Sequence, residues 1–217
     1  MTSNLRILLR WAAAAGFVLI LGSPPSAWAK KGPTISVGDD PSMKEGSPGL
    51  VLVEVSDFQC PYCGKGAREV LPQVYEKFVR TGKVELLFLD LPLQMHPYAF
   101  QAAEAAACAG DQKMFWDMHH LLFNNQNALA PEKLPGYAEQ LGLDVAAFKT
   151  CLSSRRHMPD IQEDMNVAEG LGITGTPAYL FGRRVAGGDK IEILDSVRGL
   201  PPYEVIEQKI NALLAAK

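Results

Sequence analysis

The hydrophobic pattern changes character along the chain, and each change predicts a different element. Residues 51–56 form a nearly continuous apolar run with β-branched side chains, which is typical of a buried strand. From position 63 to position 79 apolar residues recur at i, i+3 and i+4, which predicts a helix that is kinked at Pro72 and ends at Thr81-Gly82. Residues 84–89 resemble a second strand. Strand, helix and strand at this spacing predict a βαβ unit.

The middle of the chain has a helical composition. Residues 93–172 are rich in Ala, Leu, Glu and Gln and have no strand pattern. The predicted helices cover about 97–109, 112–124, 131–141, 144–153 and 159–170. Five bulky apolar side chains are predicted to lie mostly in the core of this segment: Phe115, Trp116, Met118, Leu122 and Phe123.

Two more strands and a helix complete the pattern. Ala178–Phe181 and Ile191–Val197 are strand-like, and Pro201-Pro202 begins an amphipathic helix. Thr34–Val37 hints at a short strand near the start. The order predicts an α/β fold with a mixed sheet, in which a helical domain is inserted between an N-terminal βαβ part and a C-terminal ββα part. The expected boundaries are 50–92 and 173–217 for the sheet domain and 93–172 for the inserted helical domain.

The N-terminus has the pattern of a secretory signal peptide. Arg6 and Arg10 give a positive start, Trp11–Gly22 is apolar, and Ala27-Trp28-Ala29 is a cleavage pattern. The apolar stretch is short for a membrane span. We therefore expect a signal peptide over 1–29, a lead-in segment over 30–49, and an extracytoplasmic, periplasmic location. An uncleaved membrane anchor is the alternative.

Composition and cysteine content narrow the possible classes of protein further. The 217 residues are 47% hydrophobic and 21% charged, with a net charge of -3 and a pI near 5.8, which argues against a general nucleic-acid binder. An even number of cysteines in an exported protein indicates disulfides. Four cysteines allow three pairings; a local Cys60–Cys63 pair leaves Cys108 with Cys151 for a structural disulfide. Two free thiols or a second redox relay remain alternatives for that second pair.

The segment Cys60-Pro61-Tyr62-Cys63 carries the clearest chemistry. It follows the buried strand and opens the helix, where free N–H groups and the helix dipole stabilise a thiolate. Cys60, exposed before the first turn, is the expected nucleophile, and Cys63, one turn inside, is the expected resolving thiol. A purely structural disulfide is the alternative, but so small a loop gains little stability.

A metal site is the other reading of the same cysteine pair. Structural zinc needs two more ligands, and the sequence has no second Cys-x-x-Cys. His119 and His120 are adjacent and point to different sides of a helix. We expect no metal and no dissociable cofactor, although two thiolates can hold Cu(I).

The stretch from Ser56 to Cys63, followed after the helical stretch by Gly175-Thr176-Pro177, resembles the DsbA family of exported thioredoxin-fold proteins. The resemblance covers about residues 34–215 and implies a thioredoxin fold with the helical domain inserted. It also implies that Pro177 is cis and that Thr176 offers backbone hydrogen bonds to a bound peptide. The implied substrate-binding residues are then Thr176 and Pro177, with Pro61 and Tyr62 between the cysteines.

Glu54 interrupts the apolar strand, and the resemblance implies a role for it. Thioredoxin-fold oxidoreductases often carry a carboxylate six residues before the first cysteine, which is the position of Glu54. A buried carboxylate under Cys63 can exchange protons with that thiol. The alternative is an edge-strand glutamate that faces solvent.

The function implied by the resemblance is thiol–disulfide exchange with unfolded or cysteine-containing exported proteins. A membrane redox partner would restore the Cys60–Cys63 pair. An oxidase is favoured over an isomerase or a reductase, and a monomer is expected, because the residues before position 50 cannot supply a dimerisation domain. The alternatives are a copper(I)-binding periplasmic chaperone that uses the same pair and a module that only docks peptides.

Overall fold

A mixed β-sheet lies at the centre of the computed structural model, which describes residues 32–185 and 188–216. The expected signal peptide and the first two lead-in residues, 30 and 31, lie outside the described residues. Within these residues the sheet has the order β1-β6-β5-β3-β4-β2. The strands are β1 Thr34–Ser36, β2 Ser42–Met43, β3 Leu50–Ser56, β4 Val84–Asp90, β5 Ala178–Arg184 and β6 Lys190–Arg198.

The central strand β3 explains the continuous apolar run. It pairs in parallel with β4 and antiparallel with β5, and all seven of its residues are buried. A strand with neighbours on both edges and cover on both faces has no position that favours a polar side chain. The four longer predicted strands are confirmed to within three residues at each end. The two-residue strand β2 was not predicted, because so short a segment has no measurable period.

The helices lie where the 3.6-residue pattern predicts them, with small shifts at their ends. The helices after β3 and β4 and at the C-terminus are α1 Pro61–Glu69, α2 Leu71–Val74, α3 Ala99–Gly110, α4 Phe115–Asn124, α5 Leu134–Gln140, α6 Val145–Ser154, α7 Met158–Gly170 and α8 Tyr203–Ala215. Within the described residues, none of them combines the length and the apolar character that crossing a membrane requires.

The helix after the cysteines differs from the single kinked helix that was predicted. It consists of α1, the short α2 and a π-helical turn over Tyr75–Val79. Val70 separates the first two pieces, two residues before Pro72. The proline ring has no N–H to donate and clashes with the preceding turn, so the break falls there.

The two faces of the sheet belong to two apolar clusters. Leu50 and Leu52 of β3 belong to a cluster that also contains Cys60 and Cys63, whereas Val51, Val53 and Val55 belong to the other. The five predicted core side chains of the helical insert, residues 93–172, pack in the first cluster. Because side chains alternate along a strand, Glu54 shares the face of Leu50 and Leu52. The strand register therefore directs Glu54 to the side of the cysteines.

Candidate active site

The turn between β3 and α1 presents the first cysteine at a helix N-terminus. Cys60 is the N-cap of α1 and has extended backbone angles, φ -70° and ψ 122°. Pro61 follows at the first helical position, where a missing N–H costs nothing and the fixed φ suits a helix. The Cys60 N–H donates to the Asp57 carbonyl at 3.0 Å. The local sequence thus places the sulfur beside the free N–H groups of the first turn.

The two thiols are more enclosed than the sequence suggested. Both are free, and their exposed fractions are 4% for Cys60 and 0% for Cys63. The expectation that Cys60 is well exposed is therefore wrong for this state. The loop before β5 covers it, with the Cys60 Sγ 3.5 Å from the Thr176 carbonyl oxygen. Tyr62 between them is 66% exposed, so the peptide between the cysteines is the part that faces outwards.

The surroundings of the two thiols shift their pKa values in opposite directions. A hydrogen bond from the Cys63 side chain lowers the pKa of Cys60 to about 5, and Thr176 and the Cys63 and Tyr62 backbone add to this against the opposing effect of burial. Burial raises the pKa of Cys63 far above its usual value, and its interaction with Cys60 adds to the rise. One sulfur is thus stabilised as a thiolate and the other as a thiol, the division of roles that nucleophile and resolving cysteine require.

The Thr176-Pro177 loop meets the cysteines across the site. The peptide bond between these residues is cis, the conformation that the resemblance implied. The Pro177 carbonyl accepts from the Gly199 N–H at 2.8 Å, which ties the loop to the end of β6. Pro177 is buried and Thr176 half-buried. The loop therefore presents its backbone beside Cys60, although 116 residues separate Thr176 from that cysteine.

Glu54 lies fully buried in the central strand. Its exposed fraction is 0%, so the alternative of an edge-strand side chain in solvent is wrong. Its neighbours in the sheet are Phe88 on β4 and Tyr179 on β5. The closest titratable partner is His119 of α4, with 3.5 Å between Nε2 and the carboxylate Oε2. Glu54 and His119 thus form a buried polar pair between β3 and α4.

Two residues that the sequence analysis missed hold the cysteine turn in place. The Gln126 side-chain amide donates to the Phe58 carbonyl at 2.9 Å and to the Cys60 carbonyl at 2.8 Å. The Asp57 carboxylate accepts from the Leu93 N–H at 2.8 Å and lies 2.7 Å from the His96 Nδ1. Asp57 follows a buried strand directly and could have been found from that position. No periodic pattern marks Gln126.

The other two cysteines form a disulfide within the helical insert. Cys108 of α3 and Cys151 of α6 are bonded, with 5.9 Å between their Cα atoms. Asp111 and His157 lie close to this bond. Among residues 32–185 and 188–216, this is the group of potential ligands with suitable spacing for a metal, and its sulfurs are already committed to each other. That group does not include Cys60 or Cys63.

Comparisons with known proteins agree with this geometry. A family model described as Thioredoxin matches residues 45–195. Among solved structures, alpha-DsbA1 of Wolbachia pipientis superposes with a TM-score of 0.69 at 21% identity, over 82% of this chain and 92% of that one. BdbD of Bacillus subtilis gives 0.69 at 20% identity, over 81% and 93%. These likenesses confirm the expected fold.

The relatives found by sequence are much longer proteins. A protein of Salinispora arenicola named Na(+)/H(+) antiporter NhaA 1 is 42% identical over 149 residues, which are 68% of this chain and 22% of the relative. One of Herminiimonas arsenicoxydans named Na(+)/H(+) antiporter NhaA is 34% identical over 139 residues, 64% and 22%. The chain therefore spans about 22% of the length of the curated relatives it matches.

The fold resembles that of these DsbA-type structures, and it places a cysteine pair at the start of its first helix with a cis-proline loop beside it. The chain belongs to the thioredoxin family, as the match over 45–195 shows.

Proposed function

We propose that this protein is an extracytoplasmic oxidase that passes its Cys60–Cys63 disulfide to cysteines of exported proteins. The observation that carries the proposal is the acidity of Cys60, whose pKa is lowered to about 5 by hydrogen bonds from Cys63 and its neighbours. A stabilised thiolate favours the reduced protein, and a pair that is stable when reduced is a strong oxidant when its disulfide is formed.

The proposed reaction balances in two exchange steps. A substrate thiolate attacks the Cys60 sulfur of the disulfide, forms a mixed disulfide and releases Cys63, which takes up one proton. A second substrate thiolate then attacks the substrate sulfur and releases Cys60 as a thiolate. Two substrate thiols become one disulfide, and the pair Cys60–Cys63 gains two electrons. A membrane redox partner that accepts those electrons would restore the disulfide.

We propose that Glu54 exchanges the proton that Cys63 gains and loses. It is buried on the face of the sheet that packs against the cysteines, and a thiolate at Cys63 is strongly disfavoured by burial. A variant with Glu54→Gln should therefore change the pH dependence of disulfide exchange. An unchanged pH profile in that variant would remove this role.

The proposed substrate surface surrounds the cysteine turn. Tyr62, Met95 and Tyr98 expose 66%, 78% and 38% of their area. The segment with Met95 and Tyr98 is tied to the turn, because the Tyr98 N–H donates to the Gln59 side chain at 2.7 Å. Exposed apolar side chains beside a free backbone suit an extended, unfolded chain, for which Thr176, Pro177 and Pro61 would supply the remaining contacts.

The extracytoplasmic location is supported by two features. The pattern of residues 1–29 is that of a secretory signal. The disulfide between Cys108 and Cys151 is of the kind that persists in oxidising compartments. Fractionation of cells that produce the full chain, with N-terminal sequencing of the product, tests both the location and the expected cleavage after Ala29.

The decisive experiment is the equilibrium reduction potential of Cys60–Cys63 in glutathione buffers, read by alkylation mass shift. We expect a value nearer -120 mV than -270 mV, the approximate range between strong oxidants and reductants of this fold. A value near the lower end contradicts the oxidase proposal. An anaerobic Cu(I) titration separates the copper chaperone: tight one-to-one binding with poor dithiol exchange would favour that alternative.

A further inference from the structure

A buried pair of titratable side chains joins the helical insert to the sheet. His119 of α4 and Glu54 of β3 are 1% and 0% exposed, with 3.5 Å between Nε2 and Oε2. That distance is within ion-pair range. Among the described residues, neither the carboxylate oxygens nor the ring nitrogens have an aligned hydrogen bond. Burying two such groups without hydrogen bonds destabilises the folded protein, so their presence indicates a functional role.

Aromatic rings enclose the pair. The ring of His119 lies 4.8 to 6.3 Å, centroid to centroid, from a set of rings that belong to β4, to α4 and to the turn before α1: Phe58, Phe88, Phe115, Trp116 and Phe123. This set excludes water from the imidazole and keeps the local dielectric constant low. Interactions between charges are correspondingly strong at this position.

The other titratable groups around the pair come from several elements. His120 follows on the same helix and is exposed, with its ring centroid 5.2 Å from that of His119. Tyr179 of β5 and Asp90 of β4 both sense the charge of Glu54. Burial raises the pKa of Tyr179 and of Asp90, which disfavours the anionic form of both side chains. His119 is thus the basic side chain that directly faces the carboxyl of Glu54.

The two side chains are electrostatically coupled. Burial lowers the pKa of His119, and the neighbouring Glu54 opposes that effect. An ionised carboxylate without a partner is disfavoured in such a core. His119 is the side chain that faces this carboxylate and can stabilise its charge.

We propose that His119 is a positioning residue that keeps the carboxyl of Glu54 able to exchange a proton with Cys63. The inference rests on the proposed function, because it deepens the role given to Glu54. When Cys63 attacks a mixed disulfide at Cys60, its S–H bond breaks, its proton passes to the Glu54 carboxylate and a Cys60–Cys63 bond forms. The substrate sulfur leaves as a thiolate. In the opposite direction Glu54 returns the proton to Cys63.

Without His119 the carboxyl stands alone in an apolar core. Burial then disfavours its ionised form, because no basic side chain remains to stabilise the charge. A protonated Glu54 cannot accept a proton from Cys63. The resolving step therefore slows at neutral pH and recovers as the pH rises, whereas the attack by Cys60, which is already a thiolate, is unaffected.

The experiment follows the reaction of the reduced mature protein with oxidised glutathione. Acid quenching and mass spectrometry count the mixed disulfide at Cys60 and the final Cys60–Cys63 disulfide between pH 5 and pH 9. For His119→Phe we expect resolution at pH 7 to slow roughly tenfold and its midpoint to rise by about one pH unit. Formation of the mixed disulfide should keep its rate.

Three further variants make the result interpretable. His119→Gln keeps a polar side chain without its titration, and it should reproduce the shifted profile if the phenylalanine variant folds poorly. His120→Phe, at the exposed neighbouring position, should match the wild type. Glu54→Gln should show the same defect, and adding His119→Phe to it should add little, because the two residues act as a unit.

The outcomes separate the two proposals. A wild-type pH profile in both His119 variants, or a defect that is equal at every pH, overturns the role of His119 and leaves the oxidase proposal standing. Additive effects of Glu54→Gln and His119→Phe overturn it as well. A wild-type protein that does not exchange with glutathione overturns both. The resolving step is the same for an oxidant and a reductant, so a low reduction potential alone would contradict only the oxidase proposal.

Discussion

At the scale of single residues, the site depends on the difference between two thiols three positions apart. The pKa of Cys60 is lowered to about 5 by hydrogen bonds, with that from Cys63 the largest, while burial raises the pKa of Cys63. The lowered value stabilises the folded, reduced protein. That contribution is complete above the usual thiol pKa near 9.0 and is lost as the pH falls through about 5. Relative to a pair of ordinary thiols, the disulfide should therefore gain its full extra oxidising power above about pH 9, part of it at pH 7 and none below about pH 5.

Thr176 offers a direct test at this scale. Replacing Thr176 with Val removes a buried hydroxyl that lowers the pKa of Cys60 but keeps the backbone carbonyl that contacts the Cys60 sulfur. We expect the pKa of Cys60 to rise by about one unit, because a group that can donate to the thiolate is lost. The measurement is the pH dependence of Cys60 alkylation by iodoacetamide. Thr174→Val, at an exposed position of the same loop, is the control; an equal shift in both variants would contradict the prediction.

At the scale of elements, the N-terminus of α1 is fixed by the helical insert. Gln126 follows α4 and donates to two carbonyl groups of the cysteine turn. The α carbon of Gly64 lies so close to this side chain that an added Cβ would meet the Gln126 Oε1 at 2.0 Å. The turn that presents Cys60 is therefore shaped by an element about sixty residues further along the chain.

Gln126→Ala should loosen that turn. Two buried carbonyl groups lose their donor, which we expect to cost about 1–3 kcal/mol of the free energy of unfolding. Faster amide hydrogen exchange over residues 58–64 should accompany the loss. Gln162→Ala removes an exposed amide from α7 and serves as the control. Equal stability of the two variants would show that Gln126 does not hold the turn.

At the scale of the whole molecule, stability rests on the shared core and on one cross-link. The apolar core of the sheet continues into the helical insert, because Leu50 and Leu52 belong to the same cluster of buried side chains as residues of α3 and α4. The Cys108–Cys151 disulfide joins α3 to α6 across a sequence separation of 43. A cross-link of that span restricts the unfolded chain far more than the Cys60–Cys63 loop can.

Removal of the Cys108–Cys151 bond should lower stability without removing the redox chemistry. For the double variant Cys108→Ala and Cys151→Ala we expect a loss of up to roughly 4 kcal/mol in the free energy of unfolding. Urea unfolding gives this value, and the glutathione equilibrium of Cys60–Cys63 should stay unchanged. A large shift in that equilibrium would instead indicate that the two pairs exchange with each other.

A buried acidic cluster makes global stability depend on pH. Burial, with the neighbouring carboxylates, raises the pKa of Asp40 to about 9 and that of Asp90 well above its usual value, and burial raises that of Asp164 to about 7. The unfolded chain ionises near pH 3.8, so the folded state binds more protons above that pH. The stability that these groups supply when protonated is complete below about pH 4 and is lost as the pH rises through their folded-state values.

Asp164→Asn should therefore stabilise the protein at pH 8 and have little effect at pH 4. The amide oxygen can still accept from the Asp90 N–H, which the carboxylate now does at 2.8 Å. We expect a gain on the order of 1–2 kcal/mol at pH 8, since one of three repelling acids is removed. Thermal unfolding at both pH values measures it, with the exposed Asp117→Asn as the control. A gain that is the same at pH 4 and pH 8 would point to a cause other than charge.

Sequence alone determined the elements and the reactive pair. Apolar periods of two and 3.6 residues are local properties, so β3, β4, β5, β6 and most helices lie within a few residues of their predicted bounds. The cysteines at the junction of β3 and α1 are equally local, because the strand end, the proline and the helix start are adjacent in the chain. The α/β order with its inserted helices followed from the same local signals.

Only the tertiary structure decided which distant groups meet at that junction. The sequence showed that His119 and His120 face different ways, but not that His119 turns towards Glu54 or that Gln126 reaches the cysteine turn. Thr176 comes to Cys60 across 116 residues, and its position depends on how the whole insert packs. Such contacts form when segments that are distant in sequence pack around a shared core, and they leave no periodic pattern in the sequence. The same packing buries Cys60, which its sequence neighbours alone would leave exposed.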